Sequence, residues 1–236
     1  MIPAFHSSNI WRQKMKIGTK MKMVMLTAAL PCILWAGAAW ASENGEADLK
    51  EEVQILFTHD MHSHLDSYKA EKDGKTAMIG GFAKLKTMAE EKRAACPATF
   101  LVDGGDFSMG TLYQTIFELE APELTMMGQI GYDAVTLGNH EFDYRSQGLA
   151  NMLHAAKNHE KEHPDHGLPA LVSANIDWTK NTSEDNLLVK EAMEAYGSTP
   201  YIVIERGGVK AGIFGVLGKD ADECAPESGL EFEDIV

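Results

Sequence analysis

The chain has 236 residues, with 21 Lys and Arg against 35 Asp and Glu, a formal net charge of −14. This acidity excludes general electrostatic attraction to nucleic acid or to anionic membranes. It also repels phosphate-bearing substrates, unless bound divalent cations reverse the field locally.

At the N-terminus Arg12, Lys14, Lys16, Lys20 and Lys22 form a basic region, residues 23–39 are mostly apolar, and Ala39-Trp40-Ala41 is an A-x-A cleavage site. That succession predicts a secretory signal peptide over residues 1–41, and so a secreted, periplasmic or cell-surface protein with no membrane association after cleavage. A transmembrane anchor is the alternative, but an apolar stretch of about 17 residues sits at the short limit for a span. Cleavage leaves 16 of the 21 basic residues against 35 acidic ones, a formal charge of −19. Residues 42–52 read as a flexible acidic leader, and residues 53–236 suffice for one domain with its own core. Cys96 and Cys224 remain after cleavage, either as a pair or as two free buried thiols.

Along the mature chain, VQILF at 53–57 is nearly continuous in apolar character and predicts a strand buried on both faces. The polar segment THDMHSHL follows it. Gly80-Gly81 opens a helix with Phe82, Leu85, Met88 and Ala89 at helical spacing. Residues 97–102 form the next strand, leading into Asp103-Gly104-Gly105-Asp106. Residues 121–130 form a second helix, with Pro122 suited to its first turn. A short apolar strand at 134–137 is closed by the turn residue Gly138. Leu149, Met152, Leu153 and Ala156 mark a third helix, residues 168–176 another buried strand, and residues 201–205 and 209–216 a hairpin around Gly207-Gly208. Strands alternating with helices imply an α/β fold, in which loops at the carboxyl ends of the strands carry the ligand site.

Three successive loops of that kind carry residues suited to a metal. Asp60 and His62 alternate in what reads as an extended segment, so both point to one side. Asp106 follows two glycines, where the backbone turns tightly and a carboxylate can bridge two cations. Asn139 offers a neutral oxygen to a second cation. The mixed N/O set without thiolate suits Zn, Mn, Fe or Co. Two cations about 3.5–4 Å apart can bind a phosphoryl group, activate a water and stabilise the leaving oxygen. His140 beside them can hydrogen-bond the phosphoryl oxygen or leaving group, and Asp143 can fix its tautomer. Any one of these residues alone reads as a polar loop side chain or cap. Their joint occurrence at three strand ends points to a metal centre.

Asp60-x-His62, Gly104-Gly105-Asp106 and Gly138-Asn139-His140-Glu141 resemble the calcineurin-like metallophosphoesterase signature. Their surroundings, ILFTHDMHSHL, GGDFSMGT and LGNHEFDYR, resemble the secreted bacterial 5'-nucleotidase/UDP-sugar hydrolase branch over roughly residues 53–218. The resemblance implies a four-layer α/β/β/α sandwich, incomplete at the C-terminus, with two divalent metal ions. Asp60 and His62 would bind the first, Asp106 would bridge, Asn139 would bind the second, and His140 with Asp143 would form the catalytic pair, Asn139 and His140 also meeting substrate. It implies a small-molecule partner, a 5'-nucleotide or a related phosphate ester such as a UDP-sugar or cyclic nucleotide, and leaves the oligomeric state open. Family members carry two further histidine ligands and a nucleoside-binding domain later in the chain. Here the last of nine histidines is His166, so the chain reads as an N-terminal fragment. It is either a weakly active enzyme or a metal-binding remnant without turnover.

One competing motif stands apart. His159-Glu160-Lys161-Glu162-His163 fits H-E-x-x-H, but it lies at the polar end of a helix, followed by Pro164-Asp165-His166, with no apolar helix to close a protease site around it. It reads as a solvated face.

Overall fold

The computed structural model describes residues 11–17, 51–72 and 74–234. The expected signal peptide and leader lie outside the described residues, apart from the strand β1 (Trp11–Ile17) and the start of β2 (Glu51–Thr58). In chain order there follow β3 (Tyr68–Lys72), β4 (Lys75–Ile79), α1 (Phe82–Ala95), β5 (Thr99–Asp103), α2 (Phe117–Glu120), α3 (Pro122–Ile130) and β6 (Ala134–Val135). Then come α4 (Arg145–Glu162), β7 (Ala170–Leu171), α5 (Glu184–Tyr196), β8 (Tyr201–Arg206), β9 (Val209–Phe214) and α6 (Lys219–Glu223).

The main sheet has the order β1-β2-β5-β6-β7. β1 runs antiparallel to β2, and β2, β5, β6 and β7 are mutually parallel. The four parallel strands lie side by side in chain order. Right-handed crossovers then place α1, α3 and α4 on one face of the sheet, and α3 touches both α1 and α4. Leu85 and Ala89 of α1, Leu124 and Met127 of α3, and Leu149, Met152, Leu153 and Ala156 of α4 are buried there with Leu101, Val135 and Leu171 of the sheet.

The opposite face is met by the β8–β9 hairpin. A Cβ on Gly207 at its tip would fall 2.6 Å from the Ala98 nitrogen, and one on Gly215 at its other end 2.4 Å from the Val172 oxygen. Arg206 reaches from the hairpin to Asp133, with Nη1 and Nη2 donating to the two carboxylate oxygens at 2.9 and 2.6 Å, and lies over the Phe100 ring. Helices, parallel sheet and hairpin thus form successive layers of an α/β protein, as expected.

Several elements are shorter than their apolar runs. β6 pairs over two residues only, because the chain then turns into the Gly138 loop, with Thr136 N–H donating to Asp103 O at 3.2 Å. Of residues 168–176 only Ala170–Leu171 joins β6. Val172 bridges Thr199 and Ile176 bridges Phe232, so the segment peels away from the sheet. The β3–β4 hairpin, α2 and α5 are not among the elements expected from the sequence. β3 and β4 are charged and exposed, without a buried alternating face. α5 is bounded by a Ser183 cap, whose hydroxyl accepts from Asn186 N–H, and by left-handed Gly197. Neither cysteine is paired and neither is buried: Cys96 is half-exposed, its thiol donating to Glu52 O at 3.1 Å, and Cys224 is exposed.

Candidate metal centre

The loops after β2, β5 and β6 meet at the carboxyl ends of these parallel strands. The first two continue the ladder beyond the strands: Asp60 N–H donates to Gly105 O, His62 N–H to Asp106 O and Ser63 N–H to Phe107 O, at 2.9–3.0 Å. This pairing forces turns. Asp60, His62, Ser63 and Asp106 all have positive φ, between 45° and 54°. Left-handed backbone at non-glycine residues is costly and concentrates at functional sites. The extended conformation expected for Asp60 and His62 is therefore wrong, because each residue bends to follow the neighbouring loop. Their side chains still share a side, with Asp60 Oδ1 3.6 Å from His62 Nε2.

The second and third loops touch through glycines. A Cβ on Gly105, at φ 93°, would lie 2.4 Å from the Gly138 nitrogen, and a Cβ on Gly138 2.3 Å from Asp106 Oδ1. Glu141 locks this seam. Fully buried, it accepts from Asp106 N–H and Gly138 N–H on Oε2, at 2.9 and 2.7 Å. On Oε1 it accepts from the Ser108 N–H and hydroxyl, at 3.0 and 2.7 Å. Burial pushes its carboxyl up to about 7, against the pull of these donors. Beneath, buried Asp103 accepts from the Thr58 hydroxyl at 2.6 Å and from Gly105 N–H at 2.9 Å, and its carboxyl is raised by burial. Ser63, next to His62, donates to buried Glu123 at 2.5 Å.

On this frame His62, Asp106 and His140 stand half-buried, with one ligand atom of each within 4.8 Å of the others. Among the described residues no other set of three His, Cys, Asp or Glu meets that spacing. Two imidazoles and a carboxylate fit a borderline divalent cation. Asp106 Oδ1 also accepts from His140 N–H at 2.9 Å. The His140 and His62 rings meet edge to face, 5.0 Å between centroids. His140 Nδ1 is 2.9 Å from Asp143 Oδ2, which leaves Nε2 for the site. Burial pulls the His140 imidazole down, but the Asp143 hydrogen bond and the charges of Asp143, Asp106 and Glu141 outweigh it and raise it overall.

The structure thus brings His62, Asp106 and His140 together, with Asp143 behind His140. Asp60 is more exposed and its carboxylate is engaged by His59. Asn139 is half-buried and its side chain makes no capping bond at the short helix it precedes. Sequence reasoning missed Glu141, Ser108 and Glu123. Glu141 stands in the recognised motif, but only the sheet order reveals that it bridges two loops. A cleft of about 530 Å³ lies elsewhere, between α2 and α4.

No family model matches the chain. Human 5'-nucleotidase is 31% identical over 216 residues, which cover 89% of this chain and 32% of that protein. The probable 5'-nucleotidase of Treponema pallidum is 30% identical over 192 residues, 78% of this chain and 28% of that protein. The crystal structure of the 5'-nucleotidase precursor from Thermus thermophilus superposes with a TM-score of 0.59 at 26% identity, over 78% of this chain and 32% of that one. The calcineurin-like phosphoesterase YfkN from Bacillus subtilis shares the fold, with a TM-score of 0.52 at 24% identity, over 78% of this chain and 55% of that one. By sequence the chain is a homologue of the 5'-nucleotidases, it shares the fold of the calcineurin-like phosphoesterase YfkN, and it spans about a third of the length of the nucleotidases it matches.

Proposed function

We propose that this chain carries the catalytic face of a two-metal phosphoester hydrolase acting on 5'-nucleotides outside the cytoplasm. The observation that carries this reading is the convergence of His62, Asp106 and His140 at the ends of parallel strands, with Asp143 on the far nitrogen of His140. Asp60 and His62 would hold one cation, Asp106 would bridge, and Asn139 would hold the second. Bound cations of the Zn, Mn, Co or Fe kind would supply a nucleophilic water at neutral pH and neutralise phosphoryl charge. The chain's own residues do the rest. Asp143 fixes His140 with Nε2 facing the site, where it would meet a phosphoryl oxygen or leaving group. The acidic surface would otherwise repel a nucleotide, so binding depends on the cations.

The test is phosphate release from AMP by purified protein starting at Ser42, with metal content measured in parallel. Chelation should abolish release. Asp106→Asn should lose metal and activity together. His140→Ala should keep most of the metal and lose on the order of a hundred- to a thousandfold in rate, as for loss of one positioned donor. Asp143→Asn should also lower the rate while keeping metal. Stoichiometric metal loss in His140→Ala would make it a ligand, an outcome its place beside His62 and Asp106 makes worth measuring. Metal binding without turnover would favour a binding remnant.

A further inference from the structure

We propose a second cation site, separate from the phosphoesterase centre, formed by His159, His163 and His166 at the C-terminal end of α4. The three rings are gathered: centroid distances are 4.6 Å for His159–His163, 5.4 Å for His159–His166 and 5.1 Å for His163–His166. His159 Nε2 lies 3.2 Å from His166 Nδ1. This is a hydrogen bond, with one nitrogen carrying the shared proton; two nitrogens each about 2.0–2.1 Å from a tetrahedral zinc ion are about 3.3 Å apart, so an ion replacing that proton needs little change in their separation. The third ring is one helical turn from His159, at i+4 on the same face. Its nitrogens lie outside the spacing that marks the main centre. His163 is exposed, however, so its ring can swing inward without a change of backbone.

The surroundings favour a cation. The last carbonyls of an 18-residue helix put partial negative charge at this end. Glu162 and Glu120 act electrostatically on His159, and Glu118, Glu120 and Glu162 line the adjoining cleft between α2 and α4. Three imidazoles without thiolate select the Zn, Cu, Ni and Co class of divalent ions over Mg and Ca. Arg145, at the other end of α4, follows the His140 loop directly. Fourteen residues of helix put His159 about 21 Å further along, so one ion cannot serve both places. A bound ion would tie the end of α4 to the turn carrying His166. This is not the protease reading of H-E-x-x-H, since the third ligand comes from the turn and no closed site surrounds the glutamate.

The test uses tag-free protein carrying Asp106→Asn to weaken the main centre, stripped with chelator and re-equilibrated with zinc. After desalting, a single zinc ion per chain should remain by mass spectrometry. His159→Gln and His166→Gln, made separately in that background, should each release it, weakening binding by more than the roughly 10–100-fold that loss of a group merely orienting a ligand costs. Cobalt should give the strong visible bands of a tetrahedral ion in the Asp106→Asn protein, absent from both glutamine variants. Circular dichroism checks that each variant is folded, and the exposed His163→Gln serves as a third variant if one is not. No retained zinc in the Asp106→Asn protein would overturn the proposal, as would zinc that is indifferent to all three substitutions.

Discussion

Glu141 is the residue most tightly specified by its surroundings, and none of its contacts concerns substrate. Each carboxylate oxygen faces two donors, from Asp106 and Gly138 on one side and from Ser108 on the other. A glutamine there must turn an NH2 group toward donors. Glu141→Gln should therefore cost about 2 kcal/mol by leaving buried polar groups unpaired. A denaturant midpoint shift at unchanged slope would register it. Glu123 makes a pH-dependent contribution. Burial raises its carboxyl above the ordinary value of 4.5, opposed by the Ser63 hydroxyl, and Oε2 has no hydrogen-bond partner among the described residues. The folded state therefore holds this proton more tightly than the unfolded one. Stability from this group is full at pH below 4.5, declines as pH rises through the folded value, and is level above it. Glu123→Gln should remove that decline, seen by comparing unfolding midpoints across the acid-to-neutral range.

At the scale of elements, the glycine seam and the hairpin dock each rest on a few atoms. Gly138→Ala would drive a methyl into Asp106 Oδ1, 2.3 Å away. It should part the two loops and lower metal occupancy before it unfolds the chain, which metal analysis alongside circular dichroism would separate. Arg206→Ala should cost about 2–3 kcal/mol, at or below the 3–5 kcal/mol of a fully buried pair. Asp133 would lose its two-pronged partner, but Arg93 Nη2 remains 3.7 Å away; thermal or urea unfolding measures the loss. These contacts also explain what the sequence made legible. The strands at 53–57 and 97–102, the helices α1, α3 and α4 and the hairpin at Gly207-Gly208 each have a local signal: an apolar run, a helical stripe or a turn pair. The three loops of the candidate centre were legible because their residue types are rare together and follow strands. The charged β3–β4 hairpin has no apolar face to announce it. The left-handed turns at Asp60 and His62 come from pairing with residues 105–107, some 45 positions away, which no local pattern encodes.

Across the whole molecule, the sheet separates a well-packed helical face from a thinner side covered by one hairpin, whose outward residues Tyr201, Val203 and Phe214 are 64%, 62% and 67% exposed. Among the described residues no helix is long and apolar enough to cross a membrane. Export with cleavage after Ala41 is expected to yield a protein whose N-terminal sequence begins at Ser42, and a sequence starting earlier would exclude that site. The glycine contact between the second and third loops has a further consequence for this acidic molecule. Asp106, Asn139 and His140 stand on a backbone seam clamped from below, whereas Asp60 stands on an exposed turn and leans on His59. The proposed metal centre therefore has one fixed jaw and one adjustable jaw. Exchange of one divalent ion for another of different radius should be accommodated on the Asp60 side, leaving the geometry around His140, and the fold beneath it, unmoved.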